Sequence, residues 1–315
     1  MFNYTIRRLI SAIPILFIVV FIVFFLVHLI PGDPAAVMAG PEATADEIEE
    51  LRAKLGLDEP LPIQFGKYVA NLLRGDLGNS LHYNKPVAIA LLERVEPTLI
   101  IVIYSISIAS LIGIPLGVVA AIYRNRFIDK LAMVLSMVGV STPGFWLGLN
   151  LVLLFCVYNK VFPSVGYIPI EEGGLLMSLY YLTLPSLALG LQRSASIARV
   201  TRSSMLDVLN NDYVRTARSK GLAERTVIFK HALKNAMIPV LTQIGMSIAF
   251  LAGGAVVIET IFNIPGVGQL AFDSIKRRDY PLIQGHILCI AAAYILINLV
   301  IDLLYKFFDP RVDYN

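Results

Sequence analysis

The sequence has little charge and little cysteine, and it lacks the short motifs of common nucleotide-binding and hydrolytic sites. Only 16% of its 315 residues are Asp, Glu, Lys or Arg, against about 25% in soluble globular proteins. The two cysteines, Cys156 and Cys289, lie in apolar runs, which argues against a disulfide framework or a cysteine metal site. No G-x-x-x-x-G-K-[ST] phosphate loop, H-E-x-x-H pair or G-x-S-x-G elbow occurs in the chain, so we assign no catalytic residue and no metal ligand.

What the sequence has in abundance is apolar residues, which make up 57% of the chain and give a mean hydropathy of +0.71. A membrane-spanning helix needs about 20 mostly apolar residues, and an open strand cannot satisfy its backbone in lipid. The sequence therefore predicts an all-α integral membrane protein with six spans. The predicted spans are Leu9–Ile30, Thr98–Tyr123, Leu131–Tyr158, Leu175–Ile197, Met237–Ile258 and Ile287–Tyr305.

The charged residues are distributed unevenly between the predicted loops. If the N-terminus is inside, the inner segments together with Arg193 hold 16 Lys or Arg and 7 Asp or Glu, whereas the outer segments hold 10 and 16. Short cytoplasmic loops of membrane proteins are enriched in Lys and Arg. We therefore predict that both termini are cytoplasmic.

The long outer loop between the first two spans is expected to contain short helices. Thr44 and Glu47 have the spacing of a capping box, and Gly56 is placed to end the helix that follows. Further helices are predicted over Ile63–Leu73 and Val87–Val95. This loop is either a small helical cap packed on the outer face or a direct ligand-binding element, and we favour the cap.

The inner loop 199–236 is strongly basic, with eight Lys or Arg against three Asp or Glu. It predicts a short helix from Asp212 that stops at Gly221, since glycine readily adopts the left-handed conformation of a helix end. A second helix over Glu224–Ala236 leads into the fifth span. Basic segments beside a membrane often only bind anionic lipid, but that role does not explain the interruption at the glycine.

Five stretches of the chain carry a resemblance through their order and spacing. They are His28–Pro34 (HLIPGDP), Gly75–Gly78 (GDLG), Asp212–Pro239, Glu259–Gly268 (ETIFNIPGVG) and Arg278–Pro281 (RDYP). Each is weak alone, whereas together they resemble the B-type permease subunit of bacterial and archaeal ABC importers for oligopeptides, dipeptides and nickel.

This resemblance implies the type I ABC importer permease fold, with six transmembrane helices and a small helical extracytoplasmic insertion after the first. The implied divisions are 1–30 for the cytoplasmic N-terminal end and first span, 31–97 for the extracytoplasmic loop, 98–310 for the transmembrane core with its coupling loop 199–236, and 311–315 for a cytoplasmic tail.

ABC importer permeases share a cytoplasmic motif that begins Glu-Ala-Ala and has a glycine six residues after the Glu. The matching positions here are Arg215, Thr216, Ala217 and Gly221, so a basic residue replaces the acidic one. The motif's later proline would fall near Lys234, whereas the nearest proline in this chain is Pro239.

The resemblance implies that this loop forms a coupling helix that sits in a groove of a separate ATPase subunit. The residues expected to carry the contact are Tyr213, Arg215, Thr216, Ala217, Arg218, Lys220, Gly221 and Leu222. The three basic side chains would face an acidic or polar groove, and Tyr213, Ala217 and Leu222 would supply packed contacts.

The implied partners are a second, C-type permease subunit, two ATPase subunits, an extracytoplasmic substrate-binding protein and membrane lipid, with no nucleic acid. The implied location is the bacterial or archaeal inner membrane. ATP and Mg would bind the partner ATPases, and no cofactor is expected on this chain.

Prolines, glycines and polar residues inside the spans suggest a transport path. The residues predicted to line it are Ser141, Thr142, Phe145, Trp146, Gln243 and Ser247. Gly113, Gly117, Gly245, Gly253 and Gly254 are interpreted mainly as close helix contacts, and helix packing is also the alternative interpretation of the stretch Ser141–Trp146. Arg193 is interpreted as a residue that extends to the inner interface.

The substrate remains open among dipeptides, oligopeptides, glutathione and nickel chelates. An ion-coupled secondary transporter is the less favoured alternative, because the span interiors lack Asp and Glu apart from Asp302 near the inner end. An intramembrane enzyme finds no supporting residues.

Overall fold

A computed structural model describes residues 2–29, 34–40 and 43–308, in which every regular element is helical. The segment 30–33, within the HLIPGDP stretch, and the tail 311–315 lie outside the described residues. The helices are α1 (Phe2–Leu29), α2 (Pro34–Ala39), α3 (Ala45–Leu55), α4 (Leu61–Leu73), α5 (Val87–Ile122), α6 (Phe127–Ser141), α7 (Gly144–Val152), α8 (Ile170–Leu209), α9 (Asp212–Ser219), α10 (Glu224–Thr226), α11 (Leu233–Gly254), α12 (Val256–Ile261), α13 (Val267–Arg277) and α14 (Tyr280–Phe308), with π-helical turns at Leu153–Tyr158 and Val227–Ala232.

The membrane-spanning helices of the described chain number four or five by length and composition. Four helical stretches qualify directly: Val87–Ile122, Ile170–Leu209, Glu224–Gly253 and Tyr280–Ile301. A fifth span results if α6 and the stretch Gly144–Tyr158 are counted together. Within α1, the apolar stretch Ile10–Leu26 is shorter than these. The count of six spans stays a prediction.

The third predicted span is not one continuous helix, because α6 and the helix that follows it meet at an angle of 96°. Thr142 is extended, with φ −78° and ψ 123°, as expected for a residue before proline. Pro143 has no N–H to donate and begins the next helix as its N-cap. The apolar run that predicted this span contains no signal for the size of the bend.

Two compact units divide the chain. One comprises the residues up to Glu96 and 266–295, and the other comprises 97–265 and the residues from Leu296 onward. In the first unit, Thr44 and Glu47 form the predicted capping box and Gly56 ends α3 with φ 66°. Phe65 of α4 lies edge-on against Phe24 of α1, with ring centroids 5.3 Å apart. The helices predicted after Thr44 and over Ile63–Leu73 are thus confirmed, and α4 packs on α1. The helix predicted over Val87–Val95 is the first part of α5.

A buried carboxylate connects two of the sequence stretches that carried the resemblance. Asp279, which is 1% exposed, accepts hydrogen bonds from the Ser80 hydroxyl at 2.5 Å and the His82 backbone N–H at 3.2 Å. Its other oxygen accepts from the Leu282 N–H at 3.3 Å, in the first turn of α14. One side chain therefore caps α14 and fixes the loop that follows Gly75–Gly78.

In the second unit, glycines bring α5 and α8 into backbone contact. A Cβ added at Gly117 of α5 would lie 2.5 Å from the Ala198 carbonyl oxygen of α8, and one added at Gly113 would lie 2.6 Å from the Ser194 carbonyl oxygen. Gly190 of α8 faces α5 in the same way. The interpretation of Gly113 and Gly117 as packing glycines agrees with this contact. The same interpretation finds no support at Gly253, where an added Cβ would meet no described atom within 4 Å.

The helix of the fourth span continues well beyond its predicted end. The predicted span covers Leu175–Ile197, whereas α8 runs on to Leu209 without Gly or Pro after Gly190. In this continuation Arg202 makes a two-pronged salt bridge to Asp129 of α6, at 2.5 and 2.7 Å. The apolar pattern located the membrane part of α8 but not its polar extension, which leads directly to α9.

Replacing Gly117 with Val is expected to destabilise the purified transporter, because the added side chain overlaps the backbone of α8. Overpacking of this kind costs about 1–3 kcal/mol. The measurement is the apparent melting temperature in detergent. Gly253→Ala serves as the control, since a Cβ at Gly253 meets nothing within 4 Å. Equal melting temperatures for Gly117→Val and Gly253→Ala would contradict the contact.

Asp279→Asn is expected to lower the apparent melting temperature as well. The amide NH₂ group that replaces one carboxylate oxygen cannot accept the hydrogen bonds that Ser80, His82 or Leu282 donate to Asp279. An unsatisfied buried group costs about 1–3 kcal/mol. Asp273→Asn on the neighbouring helix α13 is the matched control, because the Asp273 side chain forms no hydrogen bond or ion pair with any residue that the structure describes. Wild-type stability of Asp279→Asn would show that the carboxylate does not hold the loop.

Candidate coupling site and transport path

The short helix α9 begins and ends at residues suited to those positions. It starts after Asn211, which is extended with φ −73° and ψ 148°, and carries Asp212 in its first turn and Arg218 in its last. These charges complement the helix dipole. Gly221 follows with φ 77°, a left-handed conformation that is unfavourable for residues with a side chain. The predicted short helix and its glycine stop are both present.

One face of α9 packs against the same chain. Val214 and Ala217 are buried and form a cluster with Val227 of the next helical segment. Val208 and Leu209 at the end of α8 pack against this cluster. Ala217 was expected to contact a partner, but at 6% exposure it contacts this chain instead.

Polar contacts fix the remaining sides of α9. The Arg218 guanidinium donates to both carboxylate oxygens of Glu224, at 2.7 and 3.2 Å, and this hydrogen bonding raises the pKa of Arg218. The Asn235 amide donates to the Tyr213 hydroxyl at 2.9 Å. Two side chains of α9 are therefore connected to the helical segment that continues as α11.

The exposed part of this segment is basic with apolar groups between the charges. Tyr213 and Leu222 are 41% and 40% exposed. The other exposed residues around them include Arg215, Thr216 and Lys220. A rigid helix with this surface can transmit a rigid-body motion from a docked partner to α8 and α11.

Four of the six predicted path residues lie together at the bend between α6 and α7. Ser141, Thr142, Phe145 and Trp146 line an open cleft of about 540 Å³, together with Met137, Val138 and Pro143. The Gln192 amide of α8 donates to the Thr142 carbonyl at 3.1 Å. This hydrogen bond gives a partner to a carbonyl at the bend, where the hydrogen bonds of the helix are interrupted. Sequence reasoning missed Gln192, although a polar residue one position before Arg193 was a visible signal.

The other two predicted path residues lie on α11, outside this cleft. Ser247 is 1% exposed and its hydroxyl donates to the Gln243 carbonyl at 2.7 Å. Gln243 is half-buried. Their assignment to the path stays a prediction.

No group of three His, Cys, Asp or Glu side chains that could hold a metal ion occurs among the described residues. Cys156 and Cys289 are free thiols.

Comparison with known families covers nearly the whole chain. Residues 113–314 match the family model described as "binding-protein-dependent transport system inner membrane component". Residues 1–102 match the N-terminal model of the same transport system membrane components. The chain belongs to this family.

Individual relatives agree with this membership. The chain is 47% identical, over the full length of both chains, to the glutathione transport system permease protein GsiC of Escherichia coli O6:H1, and 46% identical to that of Salmonella paratyphi A. A solved structure of the MetNI methionine ABC transporter, in an inward-facing conformation, matches with a TM-score of 0.57 at 17% identity, over 70% of this chain and 96% of that chain. At this identity the match shows the fold alone.

The protein is therefore an inner membrane permease of an ABC importer, with the type I permease fold. Permeases of this family are non-catalytic membrane subunits, and separate ATPases hydrolyse the ATP. Membership also implies a substrate-binding partner. That α9 and the glycine that follows it form the coupling segment stays a prediction.

The left-handed glycine after α9 allows a direct test of the coupling segment. Gly221→Val forces a β-branched residue into a positive-φ conformation, which costs roughly 1–3 kcal/mol and is expected to displace Leu222 and the Arg218–Glu224 contact. We expect lower substrate-stimulated ATP hydrolysis in the assembled importer, with the permease still present in the membrane.

Gly221→Asn is the matched control, since Asn tolerates the left-handed region better than other residues. It should retain most of the activity. Equal activity of Gly221→Val and wild type would contradict a role for the turn geometry.

Proposed function

We propose that this permease forms half of a translocation pathway for short peptides, and that glutathione, a tripeptide with two carboxylates, is its first candidate substrate. The observation that carries this proposal is the 47% identity to GsiC along the whole of both chains. Dipeptides, longer oligopeptides and nickel chelates are the competing substrates.

The second half of the pathway is a related C-type permease subunit. Two ATPase subunits bind the cytoplasmic side through α9 and its equivalent, and they hold the ATP and Mg, so this chain binds no cofactor. An extracytoplasmic binding protein delivers the substrate. The uneven loop charge supports an orientation with both termini inside.

The geometry of α9 supports the proposed coupling role. The face of α9 with Val214 and Ala217 is buried against the rest of the permease. Tyr213, Arg215 and Lys220 are exposed. Basic side chains on a fixed helix are suited to a complementary acidic or polar groove. Thr216 and Leu222 complete the exposed surface of the segment.

Uptake by proteoliposomes tests the substrate and the energy source together. The complete importer, with its binding protein, is given labelled glutathione, a dipeptide or a nickel chelate. We expect ATP-dependent uptake of glutathione above the other two. Uptake that persists without the ATPases would support the ion-coupled alternative, and a preference for the nickel chelate would overturn the peptide proposal.

Tyr213→Ala separates coupling from substrate delivery in the same assay. Loss of the exposed ring and of the Asn235 hydrogen bond is expected to reduce uptake and stimulated ATP hydrolysis together. Tyr123→Ala, a change to another exposed tyrosine outside the coupling segment, is the control and should retain both activities. Unchanged uptake by Tyr213→Ala would remove this residue from the coupling site.

A further inference from the structure

The only Lys or Arg within the six predicted spans is Arg193 of α8. Its neighbour Ser194 contacts Gly113 of α5, which lies ten residues before the end of the second predicted span. At a rise of 1.5 Å per residue, this places the Arg193 backbone about 15 Å from the inner end of that span.

The side chain of Arg193 does not extend towards the inner interface, contrary to the sequence interpretation. Its guanidinium carbon lies 3.7 Å from the centroid of the Phe250 ring on α11. Phe250 is thirteen residues into the fifth predicted span, beyond its midpoint from the inner side. The cation is therefore held inside the membrane part of this unit.

Among the side chains that the structure describes, which do not include that of Asp302, no acidic partner neutralises Arg193. Its Nε is buried without a hydrogen-bond partner, and none of the described carboxylates forms an ion pair with it. Asp129 is bound by Arg202, and Glu259 accepts from Thr98 at 2.7 Å. A cation–π contact alone does not compensate for removing an arginine from water.

The surface around Phe250 indicates what Arg193 faces. Gln243, Met246 and Phe250 follow at i, i+3 and i+7 on α11 and so share one face. Met246 and Phe250 are 64% and 56% exposed on this chain. Charged residues inside a membrane face a protein interior or a water-filled pathway and not lipid. This face of α11 carries the Gln243 amide and lies against the Arg193 cation of α8, so it is suited to line the transport pathway.

We propose that Arg193 binds the C-terminal carboxylate of the transported peptide during translocation, with Phe250 holding the guanidinium in place. A guanidinium in a poorly hydrated site forms strong charge-assisted hydrogen bonds to a carboxylate. This inference rests on the proposed function, since it requires a substrate with a free carboxylate. It assigns the missing counter-charge to the cargo.

The experiment compares Arg193→Gln and Arg193→Lys with wild type, in the complete reconstituted importer with its binding protein. The substrates are the best-transported free peptide, glutathione in the first instance, and the same peptide with its C-terminal carboxylate amidated. We expect Arg193→Gln to reduce uptake of the free peptide at least about tenfold, the effect of losing a charged hydrogen bond. Uptake of the amidated peptide should fall much less, and Arg193→Lys should restore part of the loss.

Arg199→Gln, the same change at an exposed position six residues further along α8, is the matched control and should transport both peptides normally. Equal losses for free and amidated peptide, or uptake by Arg193→Gln at the wild-type level, would overturn the inference. Loss of the second permease subunit on purification of Arg193→Gln would also overturn it, by assigning the counter-charge to the partner. If the wild-type importer transports no peptide at all, the proposed function itself fails.

Discussion

The close contact between α5 and α8 is the constraint on which the second unit depends. In lipid there is little hydrophobic drive to bring two apolar helices together, so association requires dense packing of backbones and small residues. Gly113, Gly117 and Gly190 supply this packing. Because α8 also contacts α6, α7 and α11, its position determines where the polar groups of the unit lie.

The polar groups on α8 have separate tasks along its length. Gln192 satisfies a carbonyl at the bend between α6 and α7, and Arg202 holds the start of α6 through Asp129. Between them, Arg193 is directed at Phe250 on α11. One side of α8 is thus packed closely against α5 through glycines. Its other sides carry the contacts to the bend between α6 and α7 and the Arg193 cation inside the membrane.

Local sequence signals predicted the local structure well. The capping box at Thr44 and Glu47, the left-handed stop at Gly221 and the interruption at Pro143 follow from the conformational preferences of a few adjacent residues. Contacts between distant residues could not be obtained in this way. Ser80 and Asp279 are 199 positions apart, and nothing in either neighbourhood specifies the other. The direction of the Arg193 side chain likewise depends on the position of α11, which periodicity does not give.

The candidate coupling site shows the same division. The sequence predicted the helix and its exposed basic residues, but it did not separate side chains that face outward from those that hold the helix to the membrane subunit. Ala217 was expected to contact a partner and is buried instead, because α9 lies against Val227 and the end of α8. Arg218 is engaged by Glu224, six residues along the chain.

This internal anchoring of α9 has a consequence for repeated binding and release. The Val214–Ala217–Val227 cluster keeps the helix ordered in the free permease. A docking subunit therefore does not have to compensate for the conformational entropy that is lost when such a helix is ordered. More of the contact energy is then available for discriminating between two arrangements of the partner. A surface prepared in this way can be occupied, strained and vacated in every cycle without itself unfolding.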